Sequence, residues 1–136
     1  MDAAEAARRW AEGWKRGWES LDPEPILACY AADAILSTEP FRQPYRGLAG
    51  VRSYVERVLG EEEDPRVWMA DPIVDGRRAA ISWWASLIED GAETTLAGTS
   101  VLVFDADGLV IEQWDAWNQL PHRSDPPGDI GPFAGE

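Results

Sequence analysis

The chain has 136 residues, enough for one domain that buries its own core without covalent or metal staples. Its 25 acidic residues against 12 basic ones give a formal charge of -13, which repels phosphate backbones and anionic bilayers and removes nucleic acid and membrane surfaces from the expected partners. The lone cysteine, Cys29, excludes an internal disulfide and reads as a small buried hydrophobe.

The start, Met1-Asp2-Ala3-Ala4-Glu5, has neither the basic beginning nor the apolar run of a secretory leader, and no later stretch is apolar enough to cross a bilayer, so a cytoplasmic location is expected. Ala3, Ala6, Ala7, Trp10 and Trp14 recur at helical spacing with charges between them, which predicts an amphipathic helix ended by Gly17. Asp22-Pro23 opens a short second helix carrying Ile26, Leu27 and Tyr30. Residues 34–38 read as a strand, and the proline-rich run 39–47 as a loop. Leu48, Val51, Tyr54, Val55 and Val58 mark a third helix ending near Gly60, and Glu61–Asp64 reads as a solvated acidic turn. From Val67 onward, Asp75-Gly76, Asp90-Gly91 and Asp107-Gly108 punctuate β-type residues at near-equal spacing. Asp-Gly tolerates the positive φ of tight hairpins, so this stretch predicts four consecutive antiparallel strands. The segment 120–136, rich in proline and glycine, reads as a tail appended to a domain over 1–119.

Helices laid on one face of such a meander make an α+β domain enclosing an apolar space. The order of elements, with Tyr30-Ala31-Ala32-Asp33-Ala34, Tyr45-Arg46-Gly47, Leu96-Ala97-Gly98, and Phe104–Val110 followed by Trp114-Asp115, resembles the nuclear transport factor 2-like superfamily, in particular its SnoaL-like members. The resemblance spans roughly residues 5 to 119. It implies a cone-shaped, cystatin-like α+β roll whose N-terminal helices pack on a curved, mainly antiparallel sheet around a conical pocket. The superfamily holds cyclases, isomerases, epoxide hydrolases, dehydratases and non-catalytic binding modules.

Strand alternation puts Ile111, Gln113, Asp115 and Trp117 on one face of the last strand, which is taken as the inward one. By resemblance Asp115 falls where SnoaL-like cyclases and epoxide hydrolases hold a catalytic aspartate, and a carboxylate among aromatic rings is desolvated toward useful acid-base work. Glu39-Pro40 resembles the Asp-Pro of ketosteroid isomerases, which makes Glu39 the second catalytic candidate. Other parts of both enzyme types are missing. The isomerase's helix-1 tyrosine is matched by Trp10 and its oxyanion-hole acid by Ser100, and the epoxide hydrolase's Arg-x-Asp is matched by Trp83-Trp84-Ala85. Trp10, Trp14, Thr38, Trp83, Ser100, Gln113 and Trp117 are the expected ligand-binding residues. No cofactor or metal is implied, since His122 stands alone and Asp105–Gly108 lacks the later ligands of a calcium loop.

Two readings stay open. One is a SnoaL-like enzyme that uses Asp115 for general acid-base chemistry of isomerase, cyclase or hydrolase type on an apolar cyclic substrate. The other is a non-catalytic module of the same fold that binds a hydrophobic ligand or dimerises. Trp84 and Trp114 on the outer sheet face predict a homodimer, and the eight tryptophans together with the acidic charge predict uncharged or cationic ring ligands.

Overall fold

A computed structural model describes residues 1–135. Three helices, α1 (Ala3–Ser20), α2 (Glu24–Leu27) and α3 (Gly47–Gly60), pack on an open, curved, mainly antiparallel sheet, which makes the α+β roll expected from the sequence. The strands are β1 (Tyr30–Ser37), β2 (Tyr45–Arg46), β3 (Glu62–Met69), β4 (Ile73–Asp75), β5 (Arg78–Glu89), β6 (Ala92–Phe104) and β7 (Val110–Leu120). Their order is β2-β1-β7-β6-β5-β3, with β4 also beside β5.

The Asp-Gly turns form where the sequence puts them. Gly76, Gly91 and Gly108 take φ of 61°, 80° and 80°, and β3, β5, β6 and β7 pair antiparallel in succession. Gly98 has a different task. It lies opposite Trp83 on β5 and Trp117 on β7, and a Cβ there would come within 2.7 Å of the Trp117 Cβ, so its missing side chain lets the strands carry two indoles on one face. At the other side of the meander β1 runs parallel to β7, joining residues 30–37 to the last strand.

Helix α1 starts at Asp2, whose side chain accepts from the Glu5 amide at 2.8 Å, a normal N-cap. It does not stop at Gly17. The helix runs on to Ser20, and Leu21, with φ 55°, turns the chain by giving its N–H to the last carbonyls. Gly17 is a contact point instead: a Cβ there would lie 2.7 Å from the Asp22 carbonyl oxygen and 2.8 Å from Ile26 Cγ1. Gly13 meets Pro25 in the same way, at 2.7 Å. These glycines let α2 close on α1, and Trp10, Trp14 and Trp18 follow on the helix face buried against the sheet.

Three further local readings change. Tyr30 belongs to β1 rather than to the second helix, because α2 ends at Leu27. The acidic run is not a solvated turn: β3 begins at Glu62, which pairs with Glu89 of β5 and is only 4% exposed. The register shifts beyond Glu63, where Asp64 takes φ 49°, and that break hides the strand's alternation in the sequence. Likewise a register shift beyond Val103 makes Val110, not Ile111, the fully buried residue at the start of β7, while the Gln113, Asp115 and Trp117 face is kept.

The tail folds back over the outer face of the sheet. The Ser124 carbonyl accepts from Trp84 Nε1 at 2.7 Å, the His122 carbonyl accepts from Thr95 Oγ1 at 2.7 Å, and Phe133, 4% exposed, packs edge-on against Trp84. Arg123 anchors it, donating to Asp64 and Ser86. Trp84 is therefore covered by the chain itself, whereas Trp114 stays 41% exposed.

Candidate active site

The helices and the inner sheet face enclose a cavity of about 290 Å³, at the lower end of small-molecule sites. Trp10, Trp14 and Trp18 of α1 and Trp83 of β5 form part of its wall; Glu39, Arg42, Arg57 and Glu61 bring charge to its lining. All nine residues singled out in the sequence lie on this lining. They are not equivalent.

Asp115 sits directly opposite Ser100 in the β6/β7 ladder. Its Oδ1 accepts from Ser100 Oγ at 2.6 Å and from Gln113 Nε2 at 2.9 Å. The direction of these bonds is forced from outside. Indole nitrogens only donate, so Trp83 Nε1, 3.0 Å from Ser100 Oγ, leaves that hydroxyl's proton to Asp115. Trp10 Nε1, 3.1 Å from Gln113 Oε1, fixes the Gln113 amide with its NH₂ toward Asp115. Tyr30 accepts from Trp10 and from Trp14 (3.2 and 2.9 Å) and passes its own proton to Gln113 Oε1. Burial raises the Tyr30 pKa well above the usual phenol value, which keeps it a neutral donor. Four aromatic side chains thus orient the two donors that hold one carboxylate oxygen.

The other oxygen, Oδ2, has no hydrogen-bond partner among the described residues, yet it is not among the walled-in orphan atoms, so it is the oxygen open to the cavity. Burial raises the Asp115 pKa to about 6, and the Ser100 and Gln113 bonds pull it back in part. Because Oδ1 is already occupied by two donors, a proton taken up by Asp115 belongs on Oδ2.

The remaining candidates separate. Glu39 lies at the charged part of the lining in an ion pair with Arg42 (2.8 Å), the arginine mostly exposed and the Glu39 side chain 40% exposed. Thr38 contributes its carbonyl, which accepts from Trp117 Nε1 at 2.8 Å. That bond fastens the rim where β1 ends.

The family described as the SnoaL-like domain matches residues 7–113. The chain belongs to that family. Within the nuclear transport factor 2-like superfamily, this SnoaL-like domain shares its fold with SalBIII, an epoxide hydrolase/cyclase-like enzyme described with a role in pyran ring formation in the polyether salinomycin. The two are 14% identical, with TM-score 0.72 over 84% of this chain and 91% of that one. An NTF2-like protein of unknown function from Exiguobacterium sp. 255-15 is 15% identical, with TM-score 0.70 over 83% of this chain and 98% of that one. At these identities the likeness speaks for the fold alone. No curated protein sequence matches the chain.

Three residues of the SnoaL-like site, two on the cavity lining and Tyr30 behind it, were not read as functional in the sequence. Tyr30 is the hub that ties α1 to Gln113. Glu62 is a second buried carboxyl on the lining: Trp18 Nε1 donates to its Oε1 at 2.6 Å, while Oε2 is buried without a partner. Burial raises its pKa to about 7, the Trp18 bond opposes this, and the charges of Glu89 and Glu61 add to it. Tyr54 of α3 completes the set, its ring beside Tyr45 and under Arg57. One signal was available for Glu62, since a tryptophan at the end of a buried helix face needs an acceptor for its N–H.

Proposed function

We propose that this SnoaL-like domain is an enzyme that performs general acid-base chemistry on a small, neutral, ring-containing substrate, with Asp115 as the proton-transferring group. The observation that carries the reading is the asymmetry of the Asp115 carboxylate, with Oδ1 held by Ser100 and Gln113 and Oδ2 left free in a tryptophan-walled cavity. A carboxyl with a pKa near 6 is mostly ionised at neutral pH, yet holds a proton far better than an ordinary aspartate, as a group that must both take and return one requires. For a cyclic ketone, Oδ2 takes a proton from the carbon next to the carbonyl, the electron pair moves onto the carbonyl oxygen, and return of the proton to carbon completes the exchange. For a strained ether, the protonated form delivers its proton to the ring oxygen as the C–O bond breaks, while water or a hydroxyl of the substrate forms the new C–O bond and returns its proton to the carboxylate. The ring-forming chemistry described for SalBIII supports ring substrates as the class, whereas Trp83-Trp84-Ala85 in place of Arg-x-Asp argues against a copy of the epoxide-hydrolase machinery.

The test is a panel of cyclic ketones, followed by α-proton exchange in deuterated water, and of cyclic epoxides, followed by ring opening. At least one should turn over, and Asp115→Asn should slow it by about 10²- to 10⁴-fold while the melting temperature holds or rises. If nothing in the panel reacts faster than in buffer, or the Asn variant reacts equally well, the non-catalytic binding module becomes the better reading.

A further inference from the structure

The cavity contains one more proton-bearing group whose hydrogen-bonding capacity is unspent. Tyr54 lies on the α3 face turned to the cavity. Its neighbour Arg57 donates to Tyr45 Oη at 3.0 Å and only stacks over the Tyr54 ring, 5.8 Å from the centroid. Nothing else bonds the Tyr54 hydroxyl among the described residues. It is not walled in either, because the orphaned buried side-chain atoms there are Arg9 Nε and Glu62 Oε2. Glu62 differs on this point: its free oxygen has no access to the cavity, whereas the Tyr54 hydroxyl and Asp115 Oδ2 do. Burial, then the charges of Asp115, Glu62 and Tyr45, raise the Tyr54 pKa above that of a free phenol, so the hydroxyl keeps its proton.

A ring lodged between α3 and β7 then has a carboxylate, which accepts, on one side and an unengaged O–H, which donates, on the other. We propose that Tyr54 donates a hydrogen bond to an oxygen of the bound ring compound, so that the cavity selects cyclic ketones or ethers over hydrocarbon rings of the same shape. This rests on the reading of the cavity as a small-molecule site and adds the substrate's required feature, an acceptor oxygen that Tyr54 holds while Asp115 exchanges a proton at that oxygen or at the carbon beside its carbonyl. The tyrosine also sets which way round the ring enters. A hydrocarbon ring gains the tryptophan contacts but leaves the hydroxyl unpaired, and that difference is the origin of the selection.

Two probes of nearly equal shape, 1-tetralone and tetralin, isolate the carbonyl. They are titrated at pH 8, where Asp115 is ionised and cannot donate in place of the tyrosine, with tryptophan fluorescence as the readout. The wild type should bind 1-tetralone about three- to tenfold more tightly than tetralin, and the infrared carbonyl stretch of the bound ketone should fall below its value in an apolar solvent. Tyr54→Phe, which removes no hydrogen bond within the protein, should bring the two affinities within about twofold, leave tetralin binding unchanged and return the stretch upward. Equal affinities in the wild type, an unshifted stretch, or a preference that survives in Tyr54→Phe each overturn the proposal while leaving the role of Asp115 to its own assay. If neither probe binds, the small-molecule reading falls and the tyrosine's role with it. The wild-type infrared shift decides the matter even if the variant fails to fold.

Discussion

At the scale of single residues, Asp115 and Glu62 make this protein's stability respond to pH against the usual direction. Both carboxyls hold protons more tightly in the folded chain than their ordinary values of 3.8 and 4.5, with folded values of about 6 and about 7. Below about pH 4 both states are protonated and neither group opposes folding. As pH rises through the folded values the unfolded chain has already released its protons, so the stability tied to these groups is lost, by about 2–3 kcal/mol each once pH 8 is reached. Glu62→Gln keeps an oxygen for Trp18 and removes the buried charge. It should raise the melting temperature at pH 8 and lose that advantage by pH 5. Asp115→Asn should behave alike with its advantage falling away at lower pH, between about pH 6 and pH 4, since both Asp115 values lie below those of Glu62 and the amide's carbonyl oxygen still accepts from Ser100 and Gln113. Melting curves of the three proteins across pH 4.5 to 8.5 check this, and curves that stay parallel would show that neither carboxyl is desolvated.

Among the elements, the α1/α2 contact offers the sharpest test. Gly17→Ala puts a methyl group within 2.7 Å of a carbonyl oxygen and 2.8 Å of Ile26 Cγ1, so α2 must move or the helix must bend. Alanine is the better helix former by about 1 kcal/mol, but overpacking of a closed contact costs about 1–3 kcal/mol. A net loss of stability is expected, largest for residues larger than alanine, whereas Gly60→Ala, with nothing within 4 Å, should be neutral or stabilising. Chemical denaturation of the pair is the measurement, and equal behaviour would restore the view that Gly17 merely ends a helix. The contrast also explains what was legible. Periodic signals gave α1, α3 and the three Asp-Gly turns, because each depends on neighbours in sequence. The role of Gly17, the strand beginning at Glu62 and the hub at Tyr30 depend on partners 5 to 83 positions away. Asp115 was found through the resemblance and the alternation of β7; Tyr54 was read only as a core position of its helix, because hydrophobic spacing does not distinguish a ring that packs from one that also presents a hydroxyl.

For the molecule as a whole, the tail changes the meaning of the outer sheet face. Trp84 and Trp114 suggested a surface waiting for a second copy, but residues 122–133 lie over Trp84, and Phe133 is buried there. A second copy that docks on this face meets the tail as well as the exposed Trp114. A chain ending at Leu120 should therefore melt at lower temperature, through loss of the Arg123 anchor and of roughly 2 kcal/mol of Phe133 burial, and should self-associate more strongly than the full chain as Trp84 is uncovered. Light scattering of both proteins at matched micromolar concentration tests this. An unchanged mass and melting point would mean that the tail's contacts contribute nothing in solution.

The parallel pairing of β1 with β7 has a consequence for how the protein is born. Residues 30–37 wait for residues 110–114 before their ladder can close, and Tyr30 cannot meet Gln113 until the last strand exists. A chain emerging from the ribosome therefore carries the tryptophan face of α1 and an open edge on β1 through nearly the whole of its synthesis, the interval in which a passing chaperone or another nascent chain competes for them. The contact that orders the Asp115 carboxylate is also among the most distant in sequence. Pairings of this range slow folding, so the residues around Asp115 are among the last to be set in place.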